Sequence, residues 1–141
     1  MPRADFYLIG KPRFREQPLL LACELARKAS DAGMPMLVLC ASDAQAEQLD
    51  DLLWSFDPDA YVPHQIVGTD EDEEEASVLI ATPGHDVPLR PLVLNLREAA
   101  VPEGFERVLE VVPADDSARG PLRERWKQYV ARGIEVKKHD M

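Results

Sequence analysis

Five apolar residues in a row, Met36-Leu37-Val38-Leu39-Cys40, are followed closely by Ser42 and Gln45. An unbroken apolar run of this length is typical of a strand buried on both faces, as in the interior of a parallel sheet. Ser42 with Gln45 three residues later forms the capping-box pattern that begins a helix. This stretch therefore predicts a central parallel strand that leads directly into a helix, the repeating unit of α/β proteins.

The N-terminal part of the chain predicts one more strand and one more helix. Phe6-Tyr7-Leu8-Ile9 is a short apolar run that ends at Gly10, and residues 11–18 have the polar, proline-containing composition of a loop. Pro18 suits the first turn of a helix, and Gly33 suits its end. Apolar residues recur at helical spacing in this helix (Leu21, Ala22, Leu25, Ala26, Ala29) and in the one after Ser42, which ends near Trp54 (Ala46, Leu49, Leu52, Leu53).

The rest of the chain continues the same alternation. Short apolar runs at residues 78–81, 92–96 and 108–112 predict three strands, and residues 134–136 predict an edge strand. Asp115, Asp116 and Ser117 are suitable caps for a last helix that reaches Arg132 and stops at Gly133. We therefore predict a single α/β domain over residues 1–141. It is a three-layer, mostly parallel sheet with helices on both faces, Rossmann-like in shape.

The net charge of −10 is unevenly distributed along the chain. Residues 119–141 hold seven Lys and Arg against three Asp and Glu, a net charge of +4, which leaves −14 on residues 1–118. An acidic body repels phosphates, so we expect contact with nucleic acid to be indirect only. The basic C-terminal segment suits an acidic peptide instead. The acidic run Glu71–Glu75 is predicted to be a solvated or mobile loop.

Localisation is inferred from segments that the sequence lacks. We find no signal peptide and no apolar run near the ~20 residues that a membrane span needs. Cys23 and Cys40 lie in apolar segments, which is typical of buried free thiols in a reducing compartment. We expect a cytoplasmic protein that does not contact the membrane.

The motifs of common catalytic and cofactor sites are missing. The loop that begins at Gly10 lacks the G-x-G-x-x-G pattern, and the chain has no phosphate-binding G-x-x-x-x-G-K-[ST] loop. Neither the three histidines nor the two cysteines have the spacing of a zinc site. Ser42 and Ser117 suit helix caps, the turn Thr82–His85 is a weak candidate, and a reactive Cys40 at a helix start is a minor alternative. We expect no catalytic residue, no metal and no cofactor.

One candidate interaction site is a loop rich in aromatic residues. Trp54, Phe56 and Tyr61 fall within eight residues, in a segment that continues through Pro63 and His64. A surface loop does not easily bury three aromatic side chains, and aromatic residues are favoured anchors of protein interfaces. The alternative is that Trp54 and Phe56 simply cap the core.

The second candidate site is the last helix. Leu122, Trp126, Tyr129 and Val130 have the spacing of a face that packs on the sheet. Arg119, Arg123 and Lys127 recur every four residues and form what we call the basic stripe, bordered by Trp126. Cations beside an aromatic edge are suited to the terminal carboxylate and last apolar side chain of a peptide. The alternative is a solvated basic face.

These residues also carry a resemblance to a known family. The most specific elements are Leu53-Trp54, Val62-Pro63-His64 and the run from Arg123 to Tyr129, Arg-Glu-Arg-Trp-Lys-Gln-Tyr. In these elements the sequence resembles the chi subunits of bacterial DNA polymerase III. Weaker matches run along the rest of the chain, in Phe6-Tyr7-Leu8, residues 21–26, 37–40 and 45–50, and Val111-Val112-Pro113.

The resemblance implies a non-catalytic accessory subunit of the replicative polymerase holoenzyme. Such a subunit links the clamp loader, through the psi subunit, to the acidic C-terminal tail of single-stranded DNA-binding protein. The implied psi contact falls on Trp54, Tyr61, Val62, Pro63 and His64. The implied tail contact falls on Val112, Arg119, Arg123, Trp126 and Lys127.

Two features depart from the family pattern as we know it. Gly120-Pro121 lies where the family usually has uninterrupted helix, so the last helix is expected to kink or to begin at Pro121, with Arg119 off the stripe. Trp126 stands where the family often has tyrosine, a change that retains an aromatic platform. The alternative function is a small α/β enzyme with an unrecognised, nucleotide-dependent site.

Overall fold

We describe the fold from a computed structural model, which covers residues 1–68, 76–85 and 87–141. In it the protein forms one parallel sheet with helices packed against it. The strands are β1 Arg3–Leu8, β2 Met36–Leu39, β3 His64–Ile66, β4 Val78–Ala81, β5 Leu92–Asn95, β6 Arg107–Val112 and β7 Glu135–Asp140. The α-helices are α1 Pro12–Glu16, α2 Leu19–Asp31, α3 Asp43–Ser55 and α4 Arg119–Ala131, and a 3₁₀ turn spans Asp116–Ala118.

The sheet has the strand order β3-β4-β2-β5-β6-β1-β7, and all its recorded pairings are parallel. Strand β2 lies in the interior between β4 and β5, and all four of its residues are buried. Met36 and Val38 contribute to the core on one face, whereas Leu37 and Leu39 contribute to the core on the other. This burial on both faces explains the unbroken apolar run, and the predicted central strand is confirmed.

The two cores define three layers. The apolar sides of α2 and α3 pack on one face of the sheet, and α4 packs on the other through Leu122, Trp126 and Tyr129. The predicted three-layer α/β class with helices on both faces is therefore confirmed. The Ser42 hydroxyl accepts from the Gln45 amide at 3.1 Å, so α3 begins with the predicted cap.

Some local predictions were wrong. The segment predicted as a loop after β1 contains α1, which is anchored by the buried Phe14, and the sequence analysis missed β3. Helix α4 is continuous from Arg119, so the expected break at Pro121 does not occur. The missing N–H of Pro121 falls in the first turn, where amides lack partners within the helix in any case. Val130, predicted to face the sheet, is 55% exposed.

Three further expectations concern membrane spans, the two cysteines and the acidic run. Among the described residues, no helix is long and apolar enough to cross a bilayer. Cys23 and Cys40 are both buried and unpaired, as predicted. The acidic run Glu71–Glu75 lies outside the described residues.

Candidate functional site

We call Trp54, Tyr61, Val62, Pro63 and His64 the aromatic surface, and it contains both exposed and buried members. The Trp54 side chain is 62% exposed and that of Tyr61 is 71% exposed, whereas Val62 is only 1% exposed. The imidazole of His64 is also buried, with 1% of its side chain accessible. Trp54 and Tyr61 are thus the members available to a partner, whereas Val62 and the His64 ring are buried.

Ring contacts hold the aromatic surface together at the end of α3. The Trp54 ring lies 4.8 Å from that of His64 and 6.4 Å from that of Tyr61, measured between centroids. Nδ1 of His64 is 2.6 Å from the carbonyl oxygen of Val62, and its Nε2 is 3.2 Å from a carboxylate oxygen of Asp50. Because the His64 ring is buried and is in contact with the Val62 carbonyl through Nδ1, it supports Trp54 from below.

The alternative that Trp54 and Phe56 simply cap the core holds for Phe56 alone. Phe56 is partly buried and packs against the core beneath α2 and α3. Trp54 does not, since most of its side chain is accessible. Large apolar side chains exposed side by side are characteristic of interaction sites.

The basic stripe lies along the exposed side of α4. The side chains of Arg123 and Lys127 are exposed, and neither has an ion-pair partner among the described residues. Arg119 is also exposed, but its guanidinium lies 3.6 Å from the Asp116 carboxylate. In the described structure the stripe therefore has two cations one turn apart without an acidic partner and a third, Arg119, that is shared with a neighbouring acid.

Trp126 joins the basic stripe to the core. Its ring is half-buried and packs at 5.0 Å, centroid to centroid, on the ring of Phe6 in β1. Val112, the fifth residue of the implied tail contact, is only 4% exposed and belongs to the same apolar cluster as Phe6. Val112 thus lies within the cluster that carries Trp126 and presents little surface of its own.

A buried polar network on the inner side of α4 was missed by the sequence analysis. It consists of Asn95, Glu110, Arg125 and Tyr129. Glu110 is fully buried; its carboxylate accepts from the Tyr129 hydroxyl at 2.5 Å and lies 3.0 Å from Nε of Arg125. Asn95 Nδ2 donates to the same carboxylate at 3.0 Å. The signal in the sequence was Glu110 itself, a glutamate within the otherwise apolar run 108–112. A charge in a buried strand needs polar partners, so its presence there indicated a buried network.

Burial is the main cause of the shifted pKa values of Glu110 and Tyr129. It raises the pKa of Glu110 to about 7, while Arg125 and the hydrogen bonds from Asn95 and Tyr129 oppose the rise. Burial also raises the pKa of the Tyr129 hydroxyl, and the neighbouring Glu110 carboxylate adds to that effect. Tyr129 therefore stays protonated at neutral pH and acts as a donor to Glu110.

A groove of about 660 Å³ lies at the carboxyl ends of β5 and β6, where proteins of this architecture bind ligands. Leu96 and Val111 contribute to its apolar part, and Glu16 and Asp51 are its charged lining residues. Since no basic side chain of the described residues lines it, the groove offers no cation to a phosphate group. It is the space that the alternative enzyme function would require.

The minor catalytic candidates have structural explanations. Burial raises the pKa of the Cys40 thiol to about 12, although Arg97 opposes the shift, so the thiol is not activated as a nucleophile. Nδ1 of His85 lies 2.8 Å from the Thr82 hydroxyl within a turn that contains Gly84 at a φ of 87°. No group of three or more potential metal ligands occurs among the residues that the structure describes.

Comparison with known proteins matches nearly the whole chain to one family. Residues 1–137 match the family described as DNA polymerase III chi subunit, HolC. The chain belongs to the DNA polymerase III chi subunit family. The resemblance seen in the sequence is thereby confirmed.

Three relatives carry the name DNA polymerase III subunit chi. The chain is 36% identical to the one from Pseudomonas aeruginosa over 144 residues, which cover 99% of this chain and 96% of the relative. It is 32% identical to the chi subunit of Haemophilus influenzae over 117 residues, 80% of either chain. It is also 32% identical to that of Escherichia coli K12 over 119 residues, 82% of this chain and 80% of the relative. Membership of the chi family ties the chain to DNA replication and to the polymerase III holoenzyme.

Proposed function

We propose that this chain is a non-catalytic linker within the polymerase III holoenzyme. One surface pairs with a psi-type subunit of the clamp loader, and another binds the acidic C-terminal tail of single-stranded DNA-binding protein. The observation that carries the proposal is the pair of exposed cations Arg123 and Lys127, which have no ion-pair partner within the described part of the chain, beside the half-buried ring of Trp126. Contact with DNA is then indirect, in keeping with the net charge of −10.

The tail site uses charge and apolar contact together. Arg123 and Lys127 lie one helical turn apart, so both reach one terminal carboxylate or two adjacent acidic groups. The face of Trp126 that Phe6 leaves open receives the last apolar side chain of the tail. Arg119 is a weaker contributor, because it must leave Asp116 before it binds the tail. Val112 acts from within the apolar cluster under Trp126.

The psi contact falls on the aromatic surface. Trp54 and Tyr61 supply two large side chains that stay accessible in the isolated chain, and aromatic anchors of this kind dominate the energetics of interfaces. Pro63 adjoins them, and Val62 and His64 keep them in place from below. The aromatic surface lies at the end of α3 and the basic stripe on α4, which packs on the other face of the sheet, so both partners can be held at once.

A linker of this kind needs neither a catalytic residue nor a cofactor, and it works in the cytoplasm, where the replicative polymerase works. The groove beside Leu96 keeps the alternative, a small nucleotide-dependent enzyme, open to test. A thermal-shift screen with nucleotides separates the two functions. A linker shows no shift, whereas a nucleotide that raises Tm by several degrees supports the enzyme.

The tail site is tested by calorimetric titration with the C-terminal peptide of the cognate single-stranded DNA-binding protein. A charge-assisted hydrogen bond to the terminal carboxylate is worth roughly 1.5–3 kcal/mol. We therefore expect that amidation of the peptide terminus weakens binding about ten- to a hundred-fold. Equal affinities for the free-acid and amidated peptides would remove the carboxylate from the mechanism, and absence of binding by the free acid would refute the tail site.

A further inference from the structure

The buried polar network joins α4 to the sheet at two points of the helix. Arg125 and Tyr129 are one turn apart on α4, and both reach the carboxylate of Glu110 in β6, at 3.0 Å and 2.5 Å. The hydrogen bond of Tyr129 and the ion pair of Arg125, one turn apart, together restrict both the rotation of the helix about its axis and its sliding along that axis. A single contact leaves the helix free to pivot about that point. Apolar packing alone restricts these motions less because it has no direction.

The same two side chains extend the network to the segment after β5. Nη1 of Arg125 donates to the carbonyl oxygen of Glu98 at 3.0 Å. The Tyr129 hydroxyl accepts from the amide of Val101 at 2.9 Å. Helix α4 is thus held by a buried hydrogen bond and an ion pair to a strand, and by hydrogen bonds to an adjacent segment.

The opposite side of α4 carries the residues of the proposed tail site. At 100° per residue, Arg123 and Lys127 lie about 160° around the helix from Arg125 and Tyr129. A rotation of about 20° moves a side chain roughly 6 Å from the axis by about 2 Å. A displacement of that size breaks a hydrogen bond, whose length varies by only about 0.5 Å.

We propose that Glu110 is a positioning residue: through Arg125 and Tyr129 it sets the rotation of α4. That rotation places the basic stripe and Trp126 where one acidic peptide engages both. The inference rests on the proposed function for its consequence, but the setting of α4 is measurable without any peptide. A buried ion pair is an inefficient source of stability and a good source of a defined geometry, so positioning accounts for its presence in the otherwise apolar run 108–112.

The test compares Glu110→Gln with a variant of similar stability. Glu110→Gln keeps the shape of the side chain but replaces one of its two accepting oxygens with an amide group that cannot accept from Arg125, Asn95 or Tyr129. We expect Tm to fall by about 10 °C. Leu49→Ala in α3 removes a fully buried side chain on the other face of the sheet and gives a similar fall. Both variants are studied well below their Tm, so that both are folded.

Two measurements separate positioning from stability. Calorimetric titration with the tail peptide is expected to show about tenfold weaker binding by Glu110→Gln and unchanged binding by Leu49→Ala. The emission of Trp126, recorded without peptide in a Trp54→Phe background, is expected to shift in Glu110→Gln and to stay unchanged in Leu49→Ala.

Each outcome decides a different question. Wild-type affinity and unchanged Trp126 emission in Glu110→Gln would overturn the inference, as would an equal loss of affinity in Leu49→Ala. If the wild-type chain does not bind the peptide, the proposed tail site fails, and the emission of Trp126 still tests the setting of α4. If Glu110→Gln does not fold, Tyr129→Phe, which removes only one hydroxyl, decides the question by the same two measurements.

Discussion

The side chain of Arg107 donates from Nε to the buried carboxylate of Asp5 at 2.7 Å, although the two residues are 102 positions apart in the sequence. Nε2 of His139 lies 2.8 Å from the other oxygen of the same carboxylate, and the guanidinium of Arg3 is at 3.3 Å. Asp5 thus connects β1 to both of its neighbours in the sheet, β6 and β7.

We expect Asp5 to contribute to stability above acidic pH. Burial alone would raise its pKa, but the bonds from His139 and Arg107 and the nearby charges lower it below 3.8. A carboxyl whose pKa is lower in the folded chain adds stability that is full above the unfolded value and is lost as pH falls through the folded one. Asp5→Asn is therefore expected to lower the free energy of unfolding by about 2 kcal/mol at pH 7. In urea titrations the difference from wild type should shrink below pH 4, and a constant difference would contradict the expectation.

Glu110 should make the stability of the fold depend on pH with the opposite sign to Asp5 and over a higher pH range. Its pKa is raised from 4.5 to about 7, so between these values the folded chain holds a proton that the unfolded chain releases. Stability should therefore fall as pH rises from about 4.5 to 7, by about 3 kcal/mol, and then level off. Urea denaturation of wild type and Glu110→Gln across this range isolates the effect of Glu110, because the two proteins share every other titratable group. Parallel curves for the two proteins would show that Glu110 does not titrate there.

Removal of either unpaired cation should weaken the proposed tail complex. We expect Arg123→Ala and Lys127→Ala each to lose about ten- to a hundred-fold in affinity for the tail peptide, since each removes one charge-assisted hydrogen bond. Affinity should also fall as salt rises, because the charges are exposed. Calorimetry provides both measurements. Lys28→Ala, an exposed cation on α2 at the other face of the sheet, is the matched control, and a loss as large in this control would indicate non-specific attraction.

Tyr61 offers the cleaner test of the aromatic surface. Its side chain is 71% exposed, so Tyr61→Ala should leave Tm almost unchanged while weakening binding to a psi-type subunit at least tenfold. Titration of the purified psi-type subunit measures the loss. Val130→Ala removes a 55% exposed apolar side chain on α4 and should bind normally. Unchanged affinity in Tyr61→Ala would exclude this residue from the contact.

The sequence alone was sufficient to predict the α/β class, the interior strand Met36–Leu39 and the cap at Ser42, because each depends on local pattern. It also singled out Trp54, Tyr61, Arg123 and Lys127 as surface residues, since aromatic clustering and the four-residue spacing of charges are visible without a fold. The resemblance to chi subunits supplied the functional roles that pattern alone left open.

Only the tertiary structure decided which members of these sets are accessible. His64 lies beneath Trp54, Val62 is buried in the core, and Val112 lies in the cluster under Trp126, because their burial depends on segments distant in the sequence. Tertiary packing likewise exposed Val130 and buried Arg125, against the apolar periodicity of α4. Periodicity locates the inner face of a helix, but it does not show that a carboxylate 15 residues away, Glu110, offers a partner to a buried cation. A pairing such as that of Arg125 with Glu110 becomes visible only when strand and helix are brought together.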